Sequence, residues 1–208
     1  MIITEPGAWL INPPDYAVVL SNIEQAGRVC YKSENKIEAG SAETFIKSII
    51  QRGHDSVLEH GSLTLKFVCD RGVSHEIVRH RLASYCQEST RYCNYSGKKF
   101  GGEITVIRPN FLTDGTRAFA RWRAACESAE KAYFSLLDWG CTPQEARAVL
   151  PNSLKTEIVM TANIREWRHF LRLRCGAAAH PQMRQVANMA SALLRSWGPV
   201  FFEDLDIK

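Results

Sequence analysis

The sequence predicts an α+β fold: a mostly helical single domain over residues 1–208 with one small, largely antiparallel sheet. Three observations lead there. A chain of 208 residues is long enough for one sizeable core and short for two. No repeat, low-complexity tract or linker-like stretch divides it. Helical spacing of apolar residues covers most of its length, and strict alternation is confined to short runs.

Taken in order, residues 2–4 read as a short strand. A first helix is expected from Asp15 to about Cys30, with Val18, Val19, Ile23, Ala26 and Val29 on its apolar face, and a second from Ala42 to Gln51. Leu63, Leu65, Phe67 and Cys69 alternate with polar or smaller neighbours, the pattern of a strand with one buried face. Val73 to about Ala83 reads as a helix whose apolar residues fall on two sides, with Arg79 and Arg81 between them. Such a helix suits a place between layers or subunits. A strand at 104–107 is stopped by Pro109, and a long helix runs from Asp114 to Asp138 before Gly140. Thr142-Pro-Gln-Glu145 is a capping box that starts a short helix ending before Pro151. The stretch 154–162 fits a strand or a helix. Asn163 caps a helix reaching Arg174, and Pro181 opens the last one, to about Ser196.

Composition narrows the function classes. The chain is 45% hydrophobic and 23% charged, as in ordinary soluble proteins. A net charge of +4, spread along the chain, suits anionic small molecules better than a nucleic-acid backbone. The first residues lack a signal peptide's basic and apolar regions, and no apolar run approaches the ~20 residues of a membrane helix. Seven cysteines without a CxxC pair are expected as reduced thiols in the cytoplasm.

No metal site is expected. His75-Glu-Ile-Val-Arg-His80 imitates HExxH but carries one extra residue. At roughly 100° per residue, histidines five apart point about 140° away from each other. The spacing of His54 and His60 is too long for the inverted motif.

The helix Asn163–Arg174 is more informative. With Arg165 set at 0°, Leu173, Phe170, Trp167 and Leu171 span about 80° to 240°, and Arg165, His169, Arg172 and Arg168 gather around 0°. Arg174 falls at about 180°, amid the apolar side. A guanidinium there needs a partner: it either snorkels out at the helix end or serves as a cation at the floor of a pocket. The arginines opposite suit a solvated face or a phosphate-bearing ligand.

Residues 79–91, RHRLASYCQESTR, concentrate three arginines with hydroxyls and amides. Forked cations, hydroxyls and backbone N–H groups are the parts of a nucleotide-phosphate site, although the usual GxGxxG and GxxxxGK[ST] loops are absent. These residues point to a phosphorylated planar ligand. A non-catalytic nucleotide- or RNA-binding module is the alternative reading.

The same stretch closely resembles the signature of flavin-dependent thymidylate synthases, RHRxxSxNxxSxR. Segments GRVCYKS (27–33), GHDSVLEH (53–60), GVSHEIVRHR (72–81), EARAVLP (145–151), TANIREWRHFLRLR (161–174) and AHPQMR (179–184) also resemble that family, in its order. The signature departs once, with Cys86 at the asparagine position, and His169 stands where some relatives carry asparagine. The resemblance implies dTMP synthesis from dUMP, with methylenetetrahydrofolate as one-carbon donor, FAD as hydride carrier and NADPH as reductant. It implies Arg174 as the catalytic cation against the uracil, favouring N3 ionisation, and no cysteine nucleophile. The implied dUMP contacts are Glu76, Arg79, Gln87, Glu88, Ser89, Thr90, Arg91, Arg147 and Arg174. The implied FAD contacts are His54, Ser56, Arg79, His80, Arg81, Gln87, Asn163, Ile164, Arg165 and His169, with His180 a weaker candidate. The family also implies a homotetramer with active sites between subunits, and no nucleic-acid or membrane partner.

Overall fold

A computed structural model describes residues 1–97 and 101–207. Its α+β architecture is the expected one. The strands are β1 (Ile2–Thr4), β2 (Gly7–Leu10), β3 (Ser62–Asp70), β4 (Ala83–Gln87), β5 (Thr105–Ile107) and β6 (Lys155–Asn163). The helices are α1 (Tyr16–Tyr31), α2 (Ser41–Gln51), α3 (Arg71–Ile77), α4 (Arg117–Asp138), α5 (Pro143–Ala146), α6 (Ile164–Arg174), α7 (Pro181–Trp197) and α8 (Pro199–Phe202), with 3-10 turns at Glu34–Lys36, Asp55–His60 and Arg147–Val149. No helix among the described residues is long and apolar enough to cross a membrane.

Strands divide between a four-stranded sheet of order β2-β3-β6-β4 and a two-stranded sheet, β1-β5. The smaller one is parallel, with Ile2 opposite Thr105 and Thr4 opposite Ile107. The stretch that fitted either state, 154–162, is strand β6. Its burial alternates residue by residue, so a two-residue period decides the element.

The chain forms two compact units, each discontinuous in sequence. One comprises residues 1–7, 67–79 and 86–158; the other comprises 8–66, 80–85 and 159–208. In the first, Tyr95, Ile104, Val106, Cys126, Tyr133, Ala146 and Leu154 form the core. The capping box at Thr142 and Glu145 starts α5 as expected. In the second, α1, α2, α6, α7 and α8 pack around Ile23, Ile46, Ile49, Leu58, Trp167, Phe170 and Phe201, all at or near zero exposure. Gly27 lets α1 come close there: a Cβ on it would meet the Phe45 ring at 2.5 Å.

Two expectations fail for physical reasons. The helix expected over residues 73–83 ends at Ile77, and 83–87 is strand β4. Asp70 caps α3 by accepting from the Val73 N–H at 2.8 Å. Beyond the arginines, Ala83, Tyr85 and Gln87 share the half-buried side of β4, and Ser84 and Cys86 face out. Arg168, expected on a face that meets solvent or a phosphate-bearing ligand, is 1% exposed. It makes a two-pronged pair with Asp204 at 2.6 Å on each arm and also donates to the Phe201 carbonyl.

Candidate functional site

Helix α6 sets the chemistry of the second unit. Asn163 caps it by accepting from the Glu166 N–H at 2.8 Å. That places Glu166 in the first turn, where the helix dipole favours a carboxylate, and Arg174 in the last turn, where it favours a cation. Both reach the same imidazole. His80 Nδ1 lies 2.8 Å from Glu166 Oε1, and Arg174 Nε donates to His80 Nε2 at 3.1 Å. His80 is 3% exposed and Glu166 6%, and Arg174 is half-buried.

The tautomer follows from the donors. A guanidinium can only donate, so His80 Nε2 must accept and carries no proton. The ring proton then sits on Nδ1 and points at a carboxylate that can only accept. Burial lowers the His80 pKa below that of an ordinary histidine, and the Arg174 charge adds to this against the raising pull of Glu166. A neutral ring is the consistent state. His169 stands beside it with ring centres 5.4 Å apart, Phe170 with centres 5.0 Å apart, and the Tyr85 hydroxyl donates to the His80 carbonyl at 2.6 Å.

His80, Glu166 and His169 bring one ligand atom each within 4.8 Å of one another, a spacing that could hold a metal ion. Charge and lone pairs argue against that use. The Arg174 guanidinium occupies the Nε2 lone pair, Glu166 occupies Nδ1, and a cation placed there would face a guanidinium.

A second cluster in this unit surrounds His54. The Tyr31 hydroxyl and His54 Nδ1 are 2.5 Å apart and their rings stack. With Ser56 and Arg165 they line an open cleft of about 400 Å³. Arg165 is exposed and pairs with Glu59 at 2.6 Å. Arg81 is exposed, whereas the Ile164 side chain is fully buried in the core, leaving only its backbone for a ligand. His180 caps α7 by accepting from the Gln182 N–H.

The first unit holds the other expected residues. Gln87 is fixed by its amide N–H groups, which donate to Ser74 Oγ at 2.9 Å and Thr156 Oγ1 at 3.2 Å. Glu88 pairs with Lys155 at 3.0 Å and accepts from the Tyr95 hydroxyl. Arg147 donates to Thr90 Oγ1 at 3.3 Å, and Arg91 donates to Gln144 Oε1 at 3.1 Å. Both arginines are exposed, as is Arg79; Ser89 and Glu76 are half-buried. Arg91 also lies over the Tyr92 ring, 5.4 Å from its centre. Forks bonded to neutral oxygens can be drawn onto a phosphate at little cost.

Sequence reasoning missed Glu166, Tyr31, Ser74, Thr156 and Gln144. For Glu166 the signal existed: on the α6 wheel it falls at about 100°, inside the apolar arc. All seven cysteines are free, and burial raises the Cys175 thiol to about 11 and that of Cys69 further. Cys86 is exposed.

Comparison with known proteins gives a consistent set. The family profile described as "Thymidylate synthase complementing protein" matches residues 16–200. A protein of Geobacter sulfurreducens named flavin-dependent thymidylate synthase is 36% identical over 198 residues, covering 92% of this chain and 82% of that one. One of Corynebacterium aurimucosum with the same name is 35% identical over 203 residues, covering 89% and 79%. The crystal structure of a UMP/dUMP methylase from Streptomyces cacaoi, bound with 5-Br dUMP, superposes with a TM-score of 0.80 at 26% identity, covering 98% of this chain and 96% of that one.

Proposed function

The chain belongs to the family of flavin-dependent thymidylate synthases, and on that premise we propose that it makes dTMP by reductive methylation of dUMP, with methylenetetrahydrofolate as one-carbon donor, FAD as flavin and NADPH as reductant. The observation that carries this reading to residue level is the bond from Arg174 to His80, the middle residue of the RHR signature.

The donor set suits a flavin nucleotide. The cleft beside Arg165 offers a forked cation, a serine hydroxyl and an imidazole, the groups that bind phosphate and ring carbonyls. His54, Ser56, Arg79, Arg81, Gln87, Asn163, Arg165, His169 and the backbones of His80 and Ile164 would hold it, since both ring nitrogens of His80 are already bonded. Bound FAD supplies the hydride, received from NADPH, that the methylation consumes.

The remaining work falls to side chains. Arg174 would lie against the uracil and favour loss of the N3 proton, because a cation in a half-buried place stabilises a pyrimidine anion. The negative charge spreads towards C5, the carbon that must attack. Arg91 and Arg147, with Ser89 and Thr90, would clamp the nucleotide phosphate; Glu76, Arg79, Gln87 and Glu88 would complete the dUMP contacts. No cysteine adduct is required, and buried Cys69 and Cys175 have thiols held protonated. We take the assembly to be a homotetramer with sites built from more than one subunit, so the two sets of residues need not come from one copy.

The test uses purified protein. It should bind FAD and form dTMP only when dUMP, methylenetetrahydrofolate and NADPH are all present. Absence of flavin absorbance together with no binding of added FAD would defeat the proposal.

A further inference from the structure

We propose that Glu166 and His80 form a buried relay that positions Arg174, making Glu166 a positioning residue for the reaction. The inference rests on the reading of Arg174 given above and extends it to Glu166, which that reading does not use.

The geometry carries it. Glu166 and Arg174 are eight residues apart on α6, about 12 Å along the axis, too far for direct contact unless the long side chain folds back. Side chains on a helix lean towards its N-terminus, so Arg174 extends back along α6. His80 takes up the remaining gap, with one nitrogen for each partner. The contact to Arg174 is made through Nε, the nitrogen on its stem, which fixes the plane of the guanidinium.

Charge gives the relay its purpose. Glu166 carries −1, a neutral His80 carries none and Arg174 carries +1, so the trio is balanced before any nucleotide arrives. The carboxylate holds the proton on Nδ1 and makes Nε2 a better acceptor, the effect that outer partners exert on histidine ligands at metal sites. Without Glu166 the imidazole is free to carry its proton on Nε2. That tautomer presents an N–H to the Arg174 N–H and loses the bond. Protonation of the ring does the same. The charged and titratable groups around His80 are Glu166, His169 and Arg174 from α6 and Tyr85 from β4. Burial, with Glu166 adding to it, raises the Tyr85 hydroxyl to about 12, so it remains a donor to the His80 carbonyl.

The experiment combines nitrogen-15 NMR of the histidines in the wild-type holoenzyme with steady-state kinetics of Glu166→Ala, Glu166→Gln and Arg174→Ala. The expected His80 signal is a neutral ring protonated on Nδ1 across pH 6 to 8. Glu166→Ala should lower kcat for dTMP about 10- to 100-fold, shift the acid limb of the pH–rate profile and move His80 away from the Nδ1–H form, with flavin retained. The dUMP KM should change less than kcat. Glu166→Gln, whose carbonyl still accepts from Nδ1–H, should recover most of the rate. An Nε2–H or doubly protonated His80 in the wild type overturns the relay even if Glu166→Ala fails to fold. So does a Glu166→Ala enzyme with wild-type kcat and pH profile; if Arg174→Ala is inactive in that case, the relay alone has failed. Wild-type turnover by Arg174→Ala would instead remove the reading on which the relay rests.

Discussion

Arg174 and Arg147 are both proposed to meet the same nucleotide, yet the protein holds them in opposite ways. Arg174 is half-buried and bonded to a buried histidine that is itself bonded to a buried carboxylate. Arg147 is exposed and touches a threonine hydroxyl at 3.3 Å, much as nearby Arg91 touches a glutamine carbonyl. The first arrangement fixes a cation in advance, which is what charge development on a pyrimidine requires. The second leaves forks that a phosphate can capture, which suits binding more than chemistry. The contrast teaches that the two ends of the proposed substrate are served by different physics, and mutations should separate them.

The largest expected effect is on turnover. Arg174→Ala should cut dTMP formation by about 10²- to 10³-fold or more, with flavin absorbance retained, and Arg174→Lys should recover only part because a point charge lacks the Nε contact. Equal losses in KM and none in kcat would erase the distinction between the two regions.

Next comes stability. Arg168 is buried as Arg174 is not, and its partner is Asp204. Asp204→Ala should destabilise the fold by about 3 kcal/mol, the lower end for a broken buried pair because Asp204 is partly exposed. Urea unfolding measures this. The pH–rate profile of Asp204→Ala should stay that of the wild type, since this arginine has a structural partner.

Smaller effects belong to the exposed forks. Arg91→Ala and Arg147→Ala should each raise the dUMP KM about tenfold, with kcat little changed and the effect fading as salt rises. A fall in kcat comparable to that of Arg174→Ala would break the comparison.

The smallest effect is a pH dependence of stability. The folded-state pKa of His80 lies below the ordinary 6.5, so the unfolded chain takes up the proton first. The contribution is present above pH 6.5 and is lost as pH falls through that value towards the folded one. His80→Gln should flatten this dependence in thermal unfolding between pH 5 and 7.

These contrasts were unevenly legible in the sequence. Thr142 and Asn163 announced their helices because a cap is a local event. Arg174 stood out on the α6 wheel because a charge in an apolar arc demands a partner, but the wheel could not supply it: His80 is 94 residues away. Arg168 was misplaced for the same reason, since Asp204 comes 36 residues later. Strand β4 was hidden because its inward residues include Tyr85 and Gln87, which carry polar groups and blur the alternation. The chemistry of residues 79–91 was readable, and the way the chain turns from α3 into β4 there was set by tertiary pairing with β6.

The most direct measurement is dTMP formed by the Arg174→Ala protein once its flavin content has been matched to that of the wild type. The account predicts a bound, NADPH-reducible flavin and dTMP formation at least 10²-fold below wild type. Wild-type dTMP formation by that variant would contradict it.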